Sequence, residues 1–222
     1  MARIAPVIES HGYATLAFGA DIEALRTAMD ALRGRDDVRC LVLSATVSAI
    51  AHPAESDPTA LRWLERFELP TLFVFDGELA GAALDVALAC DIRLCSADAT
   101  VTCRKPGSRR LLQLIGSDAS LEYIGLRGVA DAETALRWGL ISELAPAGRA
   151  TERAAELATT IASRGPIATK LAKEAIWRGL EMPLEQALRF ETDLTLLLQT
   201  TKDRAEGVRA FIEKRPPRFT GE

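Results

Sequence analysis

The stretch PTLFVFDGELAGAALDVALACDIRLCSADAT, residues 70–100, decides the fold. TLFVF (71–75) is a short apolar run that reads as a buried strand. Gly77 and Gly81 bracket a turn, and residues 82–90 continue as a helix. IRLCS (92–96) and TVTC (100–103) then read as further strands. A strand that passes through a small-residue turn into a helix and returns as a strand is a crossover unit, and such units build largely parallel sheets.

Working outward, the upstream segments follow the same alternation. YATLAF (13–18) predicts a strand. In DIEALRTAMDALRG (21–34), Ile22, Leu25, Met29 and Leu32 fall at helical spacing, with Asp21 as a cap and Gly34 as a stop. RCLVLSA (39–45) is a second buried strand, 46–57 is loop-like with Pro53, Ser56 and Asp57, and 58–67 resumes a helical pattern through Leu61, Trp63 and Leu64. Downstream, from about residue 108, helices are expected at 119–126, 131–138, 148–163, 166–178, 183–198 and 201–213. No internal repeat or low-complexity segment interrupts the chain. The expected organisation is one structural unit, an α/β core over 1–118 and a helical region over 119–222.

At 222 residues and 48% hydrophobic content, the chain can bury one substantial core. A net charge of −4 with no Lys or Arg tract argues against nucleic acid as a partner. One small basic cluster, Arg104, Lys105, Arg109 and Arg110, reads either as a surface loop or as a phosphate site. Cys40, Cys90 and Cys95 lie in apolar runs, and with Cys103 they lack metal-ligand spacing; all four read as reduced core residues. His11 and His52 are the only histidines, too few for a His-rich metal site, so no metal is expected. His11 reads as a surface residue. No run approaches the ~20 apolar residues of a membrane span, and MARIAPVIES lacks the h-region of a signal peptide. A cytoplasmic location without membrane contact is the expectation.

The turn before residue 82 carries the first chemical suggestion. Small side chains at Gly81, Ala82 and Ala83 expose backbone N–H groups at a helix N-terminus, a place that favours an anion or a developing oxyanion. The alternative is that Gly81, Ala82 and Ala83 are small only to let helix and sheet pack closely.

Two stretches resemble the enoyl-CoA hydratase/isomerase family, the crotonase superfamily. Residues 70–100 are similar to its pattern Pro-(strand)-Asn-Gly-x-x-x-Gly-Gly-Gly-x-Glu-Leu-Ala-x-x-x-Asp-(strand)-Ala-x-x-Ala. DAETALRWGLISELAP (131–146) resembles its Ala-x-x-x-Gly-Leu-Val-x-x-Val-x-Pro segment, and the likeness runs on through ASRGPIATKLAKEAIWRGLEMPLEQAL to the closing GVRAFIEKRPPRF. The order and spacing of these pieces make the match specific over more than half of the chain. The resemblance implies the crotonase (ClpP/crotonase-like) α/β fold, with ββα-type repeats, a mainly parallel sheet and a C-terminal helical trimerisation region. It implies a coenzyme A thioester as substrate or ligand, no permanently bound cofactor, and assembly as a trimer or dimer of trimers.

By position, the resemblance makes Ala82 one N–H donor of an oxyanion hole for a thioester enolate. The second donor would be Ala51, in VSAIAH (47–52), where Ile50 stands in place of the family's glycine and His52 in place of its frequent aspartate. His52 either faces the substrate as an acid or base, or is a solvated loop residue beside Pro53. The first catalytic glutamate of the hydratases falls at Asp85, one methylene shorter, which makes Asp85 either the acid/base or a first-turn helix aspartate. The second falls at Lys105, and the following glycine-rich loop is reduced to Pro106 and Gly107 before SRRLLQLIG. Ordinary two-glutamate hydration is therefore not expected. Phe211 and Lys214 match the family's Phe and Lys that hold the adenine nucleotide of CoA, by stacking and by charge; the alternative is a core Phe211 and a merely exposed Lys214. Two functions remain: an enolate-forming lyase or isomerase on an acyl-CoA or carrier thioester, and a non-catalytic accessory protein that supports a partner enzyme.

Overall fold

Every residue of β4 (Thr71–Phe75) is buried. Leu72 and Val74 enter one apolar cluster, Phe73 and Phe75 the other. A strand covered on both faces is what an unbroken apolar run predicts. In the computed structural model, which describes residues 6–9, 11–19, 21–46, 49–50, 60–103 and 109–222, β4 lies inside a six-stranded sheet. Its order is β1 (Val7–Glu9), β2 (Tyr13–Phe18), β3 (Cys40–Ala45), β4, β6 (Ile92–Ser96), β9 (Glu143–Ala145). All neighbours are parallel except β1 with β2. A small second sheet pairs β5 (Glu78–Leu79) parallel to β7 (Thr100–Thr102), and β7 antiparallel to β8 (Val129–Asp131).

On one face lie α1 (Ile22–Asp30), α2 (Arg62–Glu65) and α3 (Gly81–Ala89), packed with Phe18, Leu43, Phe73 and Cys95 into the larger core. Asp21 caps α1 by accepting from the Ala24 N–H at 3.0 Å. The other face is covered by α6 (Ala150–Ala162). Its buried Ala150, Ala154 and Ala158 form an i, i+4 stripe, and so small a stripe lets the helix lie close against Leu72, Val74 and Leu94.

The region after 119 is not purely helical, as the sequence suggested. It supplies β8 to the small sheet and β9 to the edge of the large one. The helix expected at 119–126 begins earlier, as α4 (Arg109–Glu122), bends where Gly116 takes φ 77° and ψ 174°, and continues as a π-helical turn over Tyr123–Arg127. α5 (Ala132–Trp138), α7 (Pro166–Gly179), α8 (Leu184–Gln199) and α9 (Lys202–Glu213) lie within a few residues of their predicted positions. The four cysteines are buried and form no disulfide, and burial pushes the Cys90 thiol up to about 12.

The C-terminal tail folds back on the body. Buried Asp203 accepts from the N–H groups of Thr220 and Gly221 at 2.7 and 3.0 Å, and Arg39 donates to the Phe219 carbonyl at 2.8 Å.

Candidate active site

Parallel strands deliver their C-terminal ends to one edge of the sheet, where ligands of such sheets bind. β3 and β4 are neighbours, so the turn after Ala45 and the turn after Phe75 leave that edge side by side. In the second turn Gly77 and Gly81 take φ 71° and 57°, conformations that cost a glycine little. Ala80 between them is extended, and α3 starts at Gly81 without a side-chain cap. The first intrahelical bond runs from the Leu84 N–H to the Ala80 carbonyl at 3.2 Å. The N–H groups of Gly81, Ala82 and Ala83 therefore precede the helical ladder and form its positive pole. The side chains of Ala82 and Ala83 are buried against the core, so close packing is one reason for small residues here.

Asp85 stands three residues after Ala82 and is half-buried. It is the single charged residue of α3, GAALDVALA. The N-terminal donors and this carboxylate thus share one element.

In the neighbouring turn, Ala49 and Ile50 both donate to the Thr46 carbonyl, at 3.0 and 3.3 Å. Ala49 is buried and Ile50 packs on the core. Lys214 is the only non-glycine residue with positive φ among the described residues, so Ile50 adopts no left-handed backbone where the family has glycine. Ala51, His52, Arg104 and Lys105 lie outside the described residues. His11 is exposed.

Phe211 is 85% exposed, which removes the alternative of a core residue within one chain. Lys214 is also exposed and ends α9 in the left-handed region, φ 54° and ψ 40°. Arg110, read from sequence as part of a basic cluster that was either a surface loop or a phosphate site, turns inward. Its Nε donates to the Leu88 carbonyl at 2.7 Å, and its guanidinium lies 3.7 Å from the centre of the Trp177 ring.

A solved enoyl-CoA hydratase from Bacillus anthracis superposes with a TM-score of 0.85 at 25% identity, over 100% of both chains. An enoyl-CoA hydratase/isomerase from Mycobacterium paratuberculosis gives 0.86 at 25%, over 100% of this chain and 99% of that one. The profile described as enoyl-CoA hydratase/isomerase matches residues 42–222. The chain belongs to the enoyl-CoA hydratase/isomerase family. Its fold is the crotonase fold, as the turn and closing motifs implied. The Arabidopsis thaliana protein "Probable enoyl-CoA hydratase 2, mitochondrial" is 36% identical over 168 residues, 72% of this chain but only 56% of that protein. Mouse "Methylglutaconyl-CoA hydratase, mitochondrial" is 31% identical over 232 residues, 90% of this chain and 74% of the relative. That matched stretch is longer than this 222-residue chain, so the mouse family member carries residues here that this one lacks.

Sequence reasoning passed over two polar residues that the family fold brings inside. Arg93 interrupts the buried strand IRLCS, and its own position inside an apolar run was the available signal. Asp91 is the aspartate of the quoted family pattern. Its carboxylate accepts from the Thr71 N–H and hydroxyl at 2.8 and 2.9 Å and from the Trp177 indole at 2.9 Å. No group of three or more His, Cys, Asp or Glu residues suited to a metal occurs among the described residues. No described helix is long and apolar enough to cross a membrane.

Proposed function

We propose that this chain binds an acyl-CoA thioester and stabilises its enolate at the N-terminus of α3. The single observation behind this is the uncapped helix start at Gly81–Ala83 with Asp85 three residues beyond it. The thioester oxygen would accept from the Ala82 N–H, with the Ala51 N–H as the second donor. Donors aimed at developing charge are worth most in a water-poor site. Asp85 would take the α-proton and return it at another carbon, or protonate the enolate left by cleavage or decarboxylation. Each of these needs one acid/base group. Phe211 and Lys214 would contact the adenine and a phosphate of CoA held by a neighbouring subunit, and the exposure of Phe211 on the single chain supports that arrangement. His52 is the further candidate contact to the acyl group. The active assembly would be a trimer or a dimer of trimers, with residues beyond about 119 forming the contacts between copies.

The test is calorimetric titration with a panel of acyl-CoAs, followed by chromatographic product analysis for every binder. The expected result is binding of at least one thioester with an isomerised or cleaved product, and no loss of enoyl absorbance with crotonyl-CoA. Binding without any product would transfer the reading to the accessory role. Absence of binding across the panel would end both.

A further inference from the structure

The N-terminus of α3 can act as a fixed donor only if the helix itself is held. Its C-terminal end is bound by two guanidinium groups. Arg93 projects from β6 and is 4% exposed. Its Nη1 donates to the carbonyls of Ala87 and Cys90 at 3.2 and 2.6 Å, and its Nε to the Leu140 carbonyl at 2.8 Å. Nη2 makes a long contact of 3.5 Å to the Asp91 carbonyl. All of these acceptors are backbone oxygens, so among the described residues no carboxylate neutralises this buried cation directly. Arg110 takes the intervening Leu88 carbonyl. The terminal carbonyls of α3, its negative pole, thus face two cations.

We propose that Arg93, seconded by Arg110, is a positioning residue for the N–H donors at the opposite end of α3. The planar fork of Arg93 bridges the helix end to the turn at Leu140 and, through its own strand, to the sheet, which fixes the helix along its axis. Its charge also offsets the partial negative charge of the C-terminal carbonyls, whose field opposes that of the N-terminal donors. Lysine carries the charge but not the fork. Oxyanion donors lose effect with small displacements, so a clamp at the far end of a nine-residue helix acts on the site without touching the ligand. This inference rests on the reading of Gly81–Ala83 as an oxyanion site.

The experiment uses 4-dimethylaminocinnamoyl-CoA, a thioester whose absorption moves to longer wavelength when its carbonyl oxygen is polarised. The full chain should bind it with a red shift. Arg93→Met should still bind it but retain less than about half of that shift, and Arg93→Lys should recover part of it. Arg110→Met should reduce the shift to a smaller degree. A folded Arg93→Met with the full red shift overturns the proposal. If circular dichroism shows Arg93→Met unfolded, Arg93→Lys and Arg110→Met decide: a full shift in both overturns it, a reduced shift in both supports it. A wild-type chain that binds the probe with no red shift would instead defeat the oxyanion reading, and the positioning role with it.

Discussion

The Nζ of Lys173 lies 2.6 Å from Oδ2 of Asp91, a pairing across 82 residues of sequence that fastens α7 to the base of β4 and β6. The lysine side chain is 9% exposed and the aspartate 17%, so water shields this pair little. Lys173 also donates to the Leu69 carbonyl at 2.9 Å, and Asp91 binds Thr71 and Trp177.

Asp91 is therefore the hub and Lys173 one spoke. Asp91→Ala would leave a buried ammonium, an amide and an indole without their acceptor, and should cost about 3–5 kcal/mol. Lys173→Met leaves the carboxylate with its other donors and should cost about 1–3 kcal/mol. Urea unfolding of both variants checks the order. A lysine variant weaker than the aspartate variant would contradict the hub.

Lys214 holds a conformation that glycine occupies more cheaply. Lys214→Gly should raise stability by about 0.5–1 kcal/mol. If the side chain contacts CoA, the same change should weaken CoA binding by about 0.5–2 kcal/mol. Lys214→Ala should lose binding without the stability gain. Unchanged affinity in both folded variants would remove Lys214 from the site.

Asp85→Asn keeps the shape of the side chain and removes its charge. Turnover of an identified substrate should fall by about 10²–10⁴ while thioester binding survives. Full turnover in this variant would give Asp85 a purely helical role.

The Glu206 carboxylate accepts from Arg215 at 2.6 and 3.0 Å and from the Arg218 N–H at 2.9 Å. These bonds, the Arg215 contact first, hold its pKa down to about 2. A lowered carboxylate pKa stabilises the folded state above the ordinary value, and that contribution fades as pH falls from about 4.5 toward 2. The tail should therefore loosen in that window. The ring of Phe219, packed against Gly165 and Gly207, reports it through its NMR shifts. Glu206→Gln should show the acid-form shifts already at neutral pH, and shifts that stay fixed down to pH 2.5 would exclude the coupling.

α8 buries only Leu194, while Leu184, Leu188, Leu196 and Leu197 are exposed on the single chain. Phe211 and Ile212, in the following helix α9, are exposed as well. Apolar faces of this extent call for cover. Light scattering at micromolar concentration should give three or six times the 24.0 kDa of one chain. A mass of one chain would mean that the faces remain uncovered in solution.

The sequence by itself determined the strand–turn–helix–strand unit at 70–100, the alternation before it and most of the later helices. These depend on local periodicity and on glycines whose backbone requirement is set within a few residues. It also carried the family, because the turn and the closing motif are contiguous. It did not mark β1, β5, β8 or β9, strands of two or three residues too short to show a period of their own; of that length only β7 was legible, from its β-branched Thr-Val-Thr. Nor could it say that Arg110 points inward rather than into solvent, or that Arg93 binds the end of α3. Only the tertiary structure decided those contacts, because Arg93 lies three to six residues beyond two of its acceptors and 47 before the third, and Arg110 lies 22 residues from its own. A buried cation must find its oxygens wherever the fold supplies them, and separation along the chain gives no record of that choice.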